Sequence, residues 1–174
     1  MNLDAFTEDV GYEVSDENYY DTSAYEEVLL EDLNAGDKIT GKPIGTLFTN
    51  ESEYKSDSYR FYVLSEDDNG IPIKVRFYCN IPKPVGWSPK GNALTNLFRN
   101  NKYDLNTYNV IFSILKLQGM KNIYDDEGNP RNAFKNVSAQ AYLEILAEQE
   151  EITIVVKENE LDEDYNTLEI IDIK

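Results

Sequence analysis

The sequence predicts a mainly β domain, a small barrel or sandwich with one short helix and an acidic N-terminal arm. Three observations predict it. Ser58–Leu64 (SYRFYVL) and Ile71–Asn80 (IPIKVRFYCN) alternate apolar and polar residues around a loop that contains Asn69-Gly70, a strong hairpin signal. Ile152–Lys157 (ITIVVK) and Leu168–Ile173 (LEIIDI) flank a second turn cluster, Asp162-Glu163-Asp164-Tyr165-Asn166, and read as a closing hairpin. The charge is segregated: residues 1–36 carry Asp4, Glu8, Asp9, Glu13, Asp16, Glu17, Asp21, Glu26, Glu27, Glu31 and Asp32 with no Lys or Arg. A chain of 174 residues is ordinarily one domain with room for such an arm, so the organisation expected is an arm over 1–36 and a β domain over 37–174.

In chain order, residues 1–36 are polar, acidic and dotted with Tyr, without a sustained period, as in an arm that stays mobile or docks in extended form. Val28, Leu29, Leu30 and Leu33 leave room for a short helix around Tyr25–Leu33, ended by Gly36. Lys38–Phe48 reads as a strand in which Gly41 and Pro43 mark a bulge or an edge. After the hairpin, Ile81-Pro82-Lys83-Pro84 stops the sheet. Leu94, Leu97 and Phe98 then give Lys90–Asn101 the spacing of a short amphipathic helix. Val110–Leu117 (VIFSILKL) has strand character, with Phe134–Gln140 as a candidate partner across the turn cluster Asp125–Pro130, and Tyr142–Ala147 is ambiguous.

The acidity belongs to the ends. Residues 37–147 hold 14 Lys/Arg against 12 Asp/Glu, while 148–174 hold 10 Asp/Glu against 2 Lys, within a net charge of −17. A field of −17 repels a polyanion, whereas a mildly basic middle need not. The chain has no His and the single cysteine Cys79, which excludes a Ser-His-Asp triad, a Cys-His dyad and a His-based zinc site within it. Phosphate-cradling GxxxxGK[ST] and GxGxxG loops are missing, and Asp67-Asp68 and Asp125-Asp126-Glu127 have turn composition without the spacing of a calcium loop. A non-enzymatic protein without a cofactor is expected. One cysteine, no apolar run of membrane-spanning length and no basic-then-apolar start point to a cytoplasmic location.

Alternation directs Arg60, Tyr62, Lys74, Arg76 and Tyr78 to the hairpin face opposite Phe61, Val63, Val75 and Phe77. Aromatic rings among cations suit single-stranded nucleic acid, with bases stacked on rings and phosphates tracked by cations. The same pairs also occur as ordinary cross-strand neighbours in sheets. Trp87, between Lys83 and Lys90 in a Pro/Gly-rich loop, reads as a stacking wedge, an interface anchor or a lid, and Lys90 and Arg99 extend the basic series. The acidic arm reads either as a solubilising tail or as an internal competitor whose Tyr and carboxylates occupy the basic aromatic face.

The segments Gly36–Gly45 (GDKITGKPIG), the YRFYVL/IKVRFYCN hairpin and the closing ITIVVKENELDEDYNTLEIIDIK together resemble an oligonucleotide-binding (OB) fold. More narrowly, the chain resembles the small single-stranded-DNA-binding proteins of bacteriophages and mobile elements. The resemblance covers roughly residues 36–174 and is one of pattern. It implies non-catalytic coating of single strands and recruitment of replication or recombination proteins through an acidic end; this chain carries acid at both ends. The alternative expectation takes the net charge at face value: an acidic DNA mimic or inhibitor acting on a nucleic-acid enzyme such as a host defence nuclease.

Overall fold

Alternating apolar residues over the middle and end of the chain form strands much as the pattern dictates. The computed structural model describes residues 12–14, 22–52, 55–81, 104–119 and 139–174. Its strands are β1 (Tyr12–Val14), β2 (Glu26–Leu29), β3 (Lys38–Asn50), β4 (Asp57–Glu66), β5 (Pro72–Ile81), β6 (Ile152–Glu158) and β7 (Asn166–Ile173). Two helices, α1 (Leu105–Leu117) and α2 (Ala139–Ala147), lie between β5 and β6 in sequence. The strand order is β2-β5-β4-β3-β6-β7, with β1 paired to β3 as well. All pairings are antiparallel except β2 with β5.

The long β3 organises this sheet. Lys38–Gly41 pair with β6, Lys42–Phe48 pair with β4, and Phe48–Asn50 take β1 on the other edge. One strand thus serves both the β3-β4-β5 meander and the β6-β7 hairpin, curling the sheet into the half-barrel of an OB-like fold. Gly41 sits where β3 changes partner, and a Cβ there would collide with the backbone carbonyl of Leu64. The hairpin loop follows from its sequence: Asp67 Oδ1 accepts the backbone N–H groups of Asn69 and Ile71, and Gly70 takes φ +77°. Asp162 Oδ1 accepts the Asp164 N–H in the β6–β7 turn, so these acidic tips spend side-chain oxygens on turn geometry.

Two expectations are corrected. Val110–Leu117 is helical, the C-terminal part of α1, and Tyr142–Ala147 is the body of α2, so the described residues hold two helices where one was expected elsewhere. A continuous apolar run has no period that separates a strand from a helix buried on most sides, and α1 is such a helix. Thr107, Val110, Ile111, Ile114 and Leu115 are all buried. Its first turns stitch the open side of the half-barrel: Asn106 Nδ2 donates to the Tyr78 carbonyl, Thr107 Oγ1 to the Asn80 carbonyl, and Asn109 Nδ2 to Thr167 Oγ1. Ser113 Oγ accepts the backbone N–H of Ile170 in β7. The second correction concerns Tyr25–Leu33, which forms β2 followed by a 3-10 turn at Leu30–Asp32 instead of an α-helix. The expected helix over Lys90–Asn101 and the strand from Phe134 to Ser138 lie outside the described residues; Ala139 and Gln140, placed in that strand by sequence, open α2.

The core fills the concave side of the sheet. Phe61 stacks between Tyr59 and Phe77 with ring centroids 5.0 Å apart on each side, and Val63, Val75, Ile114, Leu143, Ile154 and Leu168 complete the centre. Among the described residues no helix is long and apolar enough to cross a membrane.

Asp104, at the start of α1, is 1% exposed, and burial raises its carboxyl from 3.8 to about 6. The folded chain therefore holds this proton more tightly than the unfolded chain. The stability cost is complete above pH 6 and is relieved as pH falls toward 4. At 1.36 kcal/mol per pKa unit, Asp104→Asn is expected to gain about 2 kcal/mol on the native chain between pH 4 and pH 7.5. Urea unfolding of both proteins at the two pH values checks this, and a pH-independent difference would refute it.

Candidate nucleic-acid interface

Register decides what the convex face of the meander presents. Arg60 pairs with Tyr78, Tyr62 with Arg76 and Leu64 with Lys74 across β4 and β5. Because paired residues share a face, each ring acquires a cation as its neighbour. The five hairpin residues singled out from the sequence thus stand together on the side away from the core. β3 adds Thr46 opposite Arg60, Ile44 opposite Tyr62, and Phe48 opposite Ser58.

The guanidinium groups lie against rings. Arg60 Cζ is 4.0 Å from the Phe48 centroid and 5.2 Å from that of Tyr78, and Arg76 Cζ is also 5.2 Å from Tyr78. Lys74 Nζ is 5.1 Å from the Tyr62 centroid. The face is a row of alternating rings and cations, held in register by the strand ladder beneath it.

This face is less open than the sequence implies. Arg60, Arg76 and Tyr78 are partly exposed, but Tyr62 and Lys74 are each only 6% exposed, and Ile44, Thr46 and Phe48 beside them are buried. Part of the cover comes from acidic N-terminal sequence. Glu27, paired in register with Lys74, reaches over the face: its Oε1 accepts from Tyr62 Oη at 2.8 Å and its Oε2 from Arg76 Nη1 at 3.3 Å. Lys74 Nζ donates to both the carbonyl and Oγ1 of Thr22 at 3.2 Å. The Nε of Arg76 is buried and makes no hydrogen bond among the described residues. Burial, then the hydrogen bond and charge of Glu27, push the Tyr62 phenol well above the ordinary tyrosine range, and burial also raises Tyr78. Both phenols therefore stay neutral at physiological pH and serve as rings and hydrogen-bond donors.

Phe48, Glu27 and Thr22 were not singled out from the sequence. Phe48 has the same parity along β3 as Ile44 and Thr46, a signal that gains meaning only once the register with β4 is known. Trp87, Lys90 and Arg99 lie outside the described residues. Cys79, next to Tyr78 but on the core side, is fully buried, and burial raises its thiol far above the range of a reactive cysteine. Among the described residues no group of three His, Cys, Asp or Glu side chains could hold a metal ion. The arrangement offers stacking and ion pairing. Comparison with protein-family models, with curated proteins and with solved structures returns no match.

Proposed function

We propose that the protein binds single-stranded nucleic acid along the convex face of β4 and β5, without catalysis. The observation that carries this reading is the row Phe48–Arg60–Tyr78–Arg76, where rings and guanidiniums alternate at 4.0–5.2 Å. Arg60, Tyr78 and Arg76 lie on the second and third strands of an OB-like meander, the surface on which such folds take up oligonucleotides, and Phe48 adds a ring from the first. Tyr78, the partly exposed ring of the row, can accept any base, and the cations beside it can accept phosphates. The sequence resemblance supports single-stranded DNA and a role in phage or mobile-element replication or recombination.

Tyr78→Ala is expected to weaken binding of a labelled oligothymidylate by about 1–3 kcal/mol, the value of one base stack. Arg60→Gln should lower the slope of log affinity against log salt by about 0.7, one phosphate contact on a single strand. Fluorescence polarisation at low and high salt measures both. Unchanged polarisation and electrophoretic mobility at low salt would end this reading.

A second reading, the DNA mimic, draws on a different surface. Glu158, Glu160, Glu163 and Asp164 are exposed at the β6–β7 turn, and Glu144, Glu148 and Glu150 are exposed on and after α2. A mimic would displace duplex DNA from a nuclease while itself failing to bind oligonucleotides.

A further inference from the structure

An anion already occupies the basic face, and its coordination indicates what that place is built to hold. The two oxygens of one carboxylate are shared between a phenol and a guanidinium, Tyr62 Oη at 2.8 Å and Arg76 Nη1 at 3.3 Å. A phosphodiester presents the same chemistry, anionic oxygens that accept from an Arg and a hydroxyl at once. The local charge is unbalanced as well. Lys74 is buried and, among the described residues, donates to neutral oxygens of Thr22, so of the described carboxylates Glu27 is the one in an ion pair on this side, with Arg76.

We infer that Tyr62, Lys74 and Arg76 form a phosphate subsite whose place is held in cis by Glu27, and that a nucleic-acid strand enters by exchange with β2. This rests on the nucleic-acid reading above and adds its regulation. The holder is built to leave. Among the described strands β2, four residues long, lies at the edge of the sheet and pairs with one neighbour, and the Glu27–Arg76 ion pair is partly exposed. Short edge segments and half-exposed ion pairs are among the least stable parts of a fold. Val28, partly buried against the core, brings the carboxylate back into register when the face is empty.

The test compares the native chain, Glu27→Gln and Glu158→Gln, using a labelled oligothymidylate of roughly 16 nucleotides. Glu158 is exposed on β6, so its change alters the net charge by the same amount away from the face. Glu27→Gln is expected to tighten binding about tenfold, because a larger fraction of the protein is competent to bind, while Glu158→Gln stays near the native value. Hydrogen exchange on the native chain supplies an independent readout. Saturating oligonucleotide should speed amide exchange at Glu26–Leu29 and slow it along β4 and β5.

Equal tightening by both variants would show net charge at work and overturn the cis-occupant. Slower exchange in β2 on binding would do the same, since β2 would then stay in place. In either case the nucleic-acid reading survives. Absence of binding by all three proteins, with exchange unchanged, would remove both.

Discussion

Phe61→Ala is expected to destabilise the protein by about 3–5 kcal/mol, a large share of the roughly 5–15 kcal/mol that holds a domain of this size. Phe61 is 0% exposed and lies between the rings of Tyr59 and Phe77. Truncation removes the transfer energy of the ring and leaves a cavity that two flat neighbours cannot fill without tilting. The same strand carries Arg60 and Tyr62 on its other side, so softening the core beneath also loosens the spacing of rings and cations above. Phe61→Leu retains most of the volume and should cost far less. Urea denaturation of the two variants checks the ordering, and an equal cost for both would mean that the stacked ring geometry, and not buried volume, sets the stability of this layer.

The inner face of that hairpin was legible because Phe61, Val63, Val75 and Phe77 alternate without interruption and Asn69-Gly70 fixes where the chain reverses. The partners of the outer face were legible for the same reason, since parity alone puts Arg60, Tyr62, Lys74, Arg76 and Tyr78 on one side. What covers that side was not legible. β2 adds to β5 in parallel, a contact between Glu26–Leu29 and Ile73–Arg76 that no local period encodes. Glu27 looks like any other carboxylate of an acidic arm until the register sets it beside Lys74. The misreading of Val110–Leu117 has a different origin: burial on most sides of α1 erases the polar stripe that would have marked a helix.

These two kinds of miss bear on function differently. Taking α1 for a strand left the barrel's open side unaccounted for, but did not touch the proposed interface. Missing β2 mattered more, because it turned an occupied face into an open one. The charge asymmetry of the sequence and the hydrogen bonds of Glu27 now describe one arrangement. Acidic sequence from the N-terminal part of the chain lies against basic residues from the middle, and the −17 of the whole chain and the basic bias of residues 37–147 stop being rival facts.

Gly41→Ala is expected to cost about 3 kcal/mol and, more tellingly, to divide the molecule. A Cβ at this position collides with backbone, the Leu64 carbonyl, and backbone cannot swing aside as the end of a side chain can. The strain falls where β3 passes from β6 to β4, between Gly41 paired with Ile152 and Lys42 paired with Leu64. Relief requires β3 to move away from β4 at this crossing, which pulls Lys38–Gly41 out of register with the β6–β7 hairpin. The seven-residue pairing from Lys42 to Phe48 and the ten-residue pairing of β4 with β5 anchor the other half more firmly. Hydrogen exchange should therefore rise first in β6 and β7, at conditions where β4 and β5 remain protected. Because the ring-and-cation row lies wholly on β3, β4 and β5, oligonucleotide binding should outlast the loosening of the hairpin. A single cooperative loss of protection across all strands would instead mean that the two halves of the barrel stand or fall together, and that the binding face has no stability of its own.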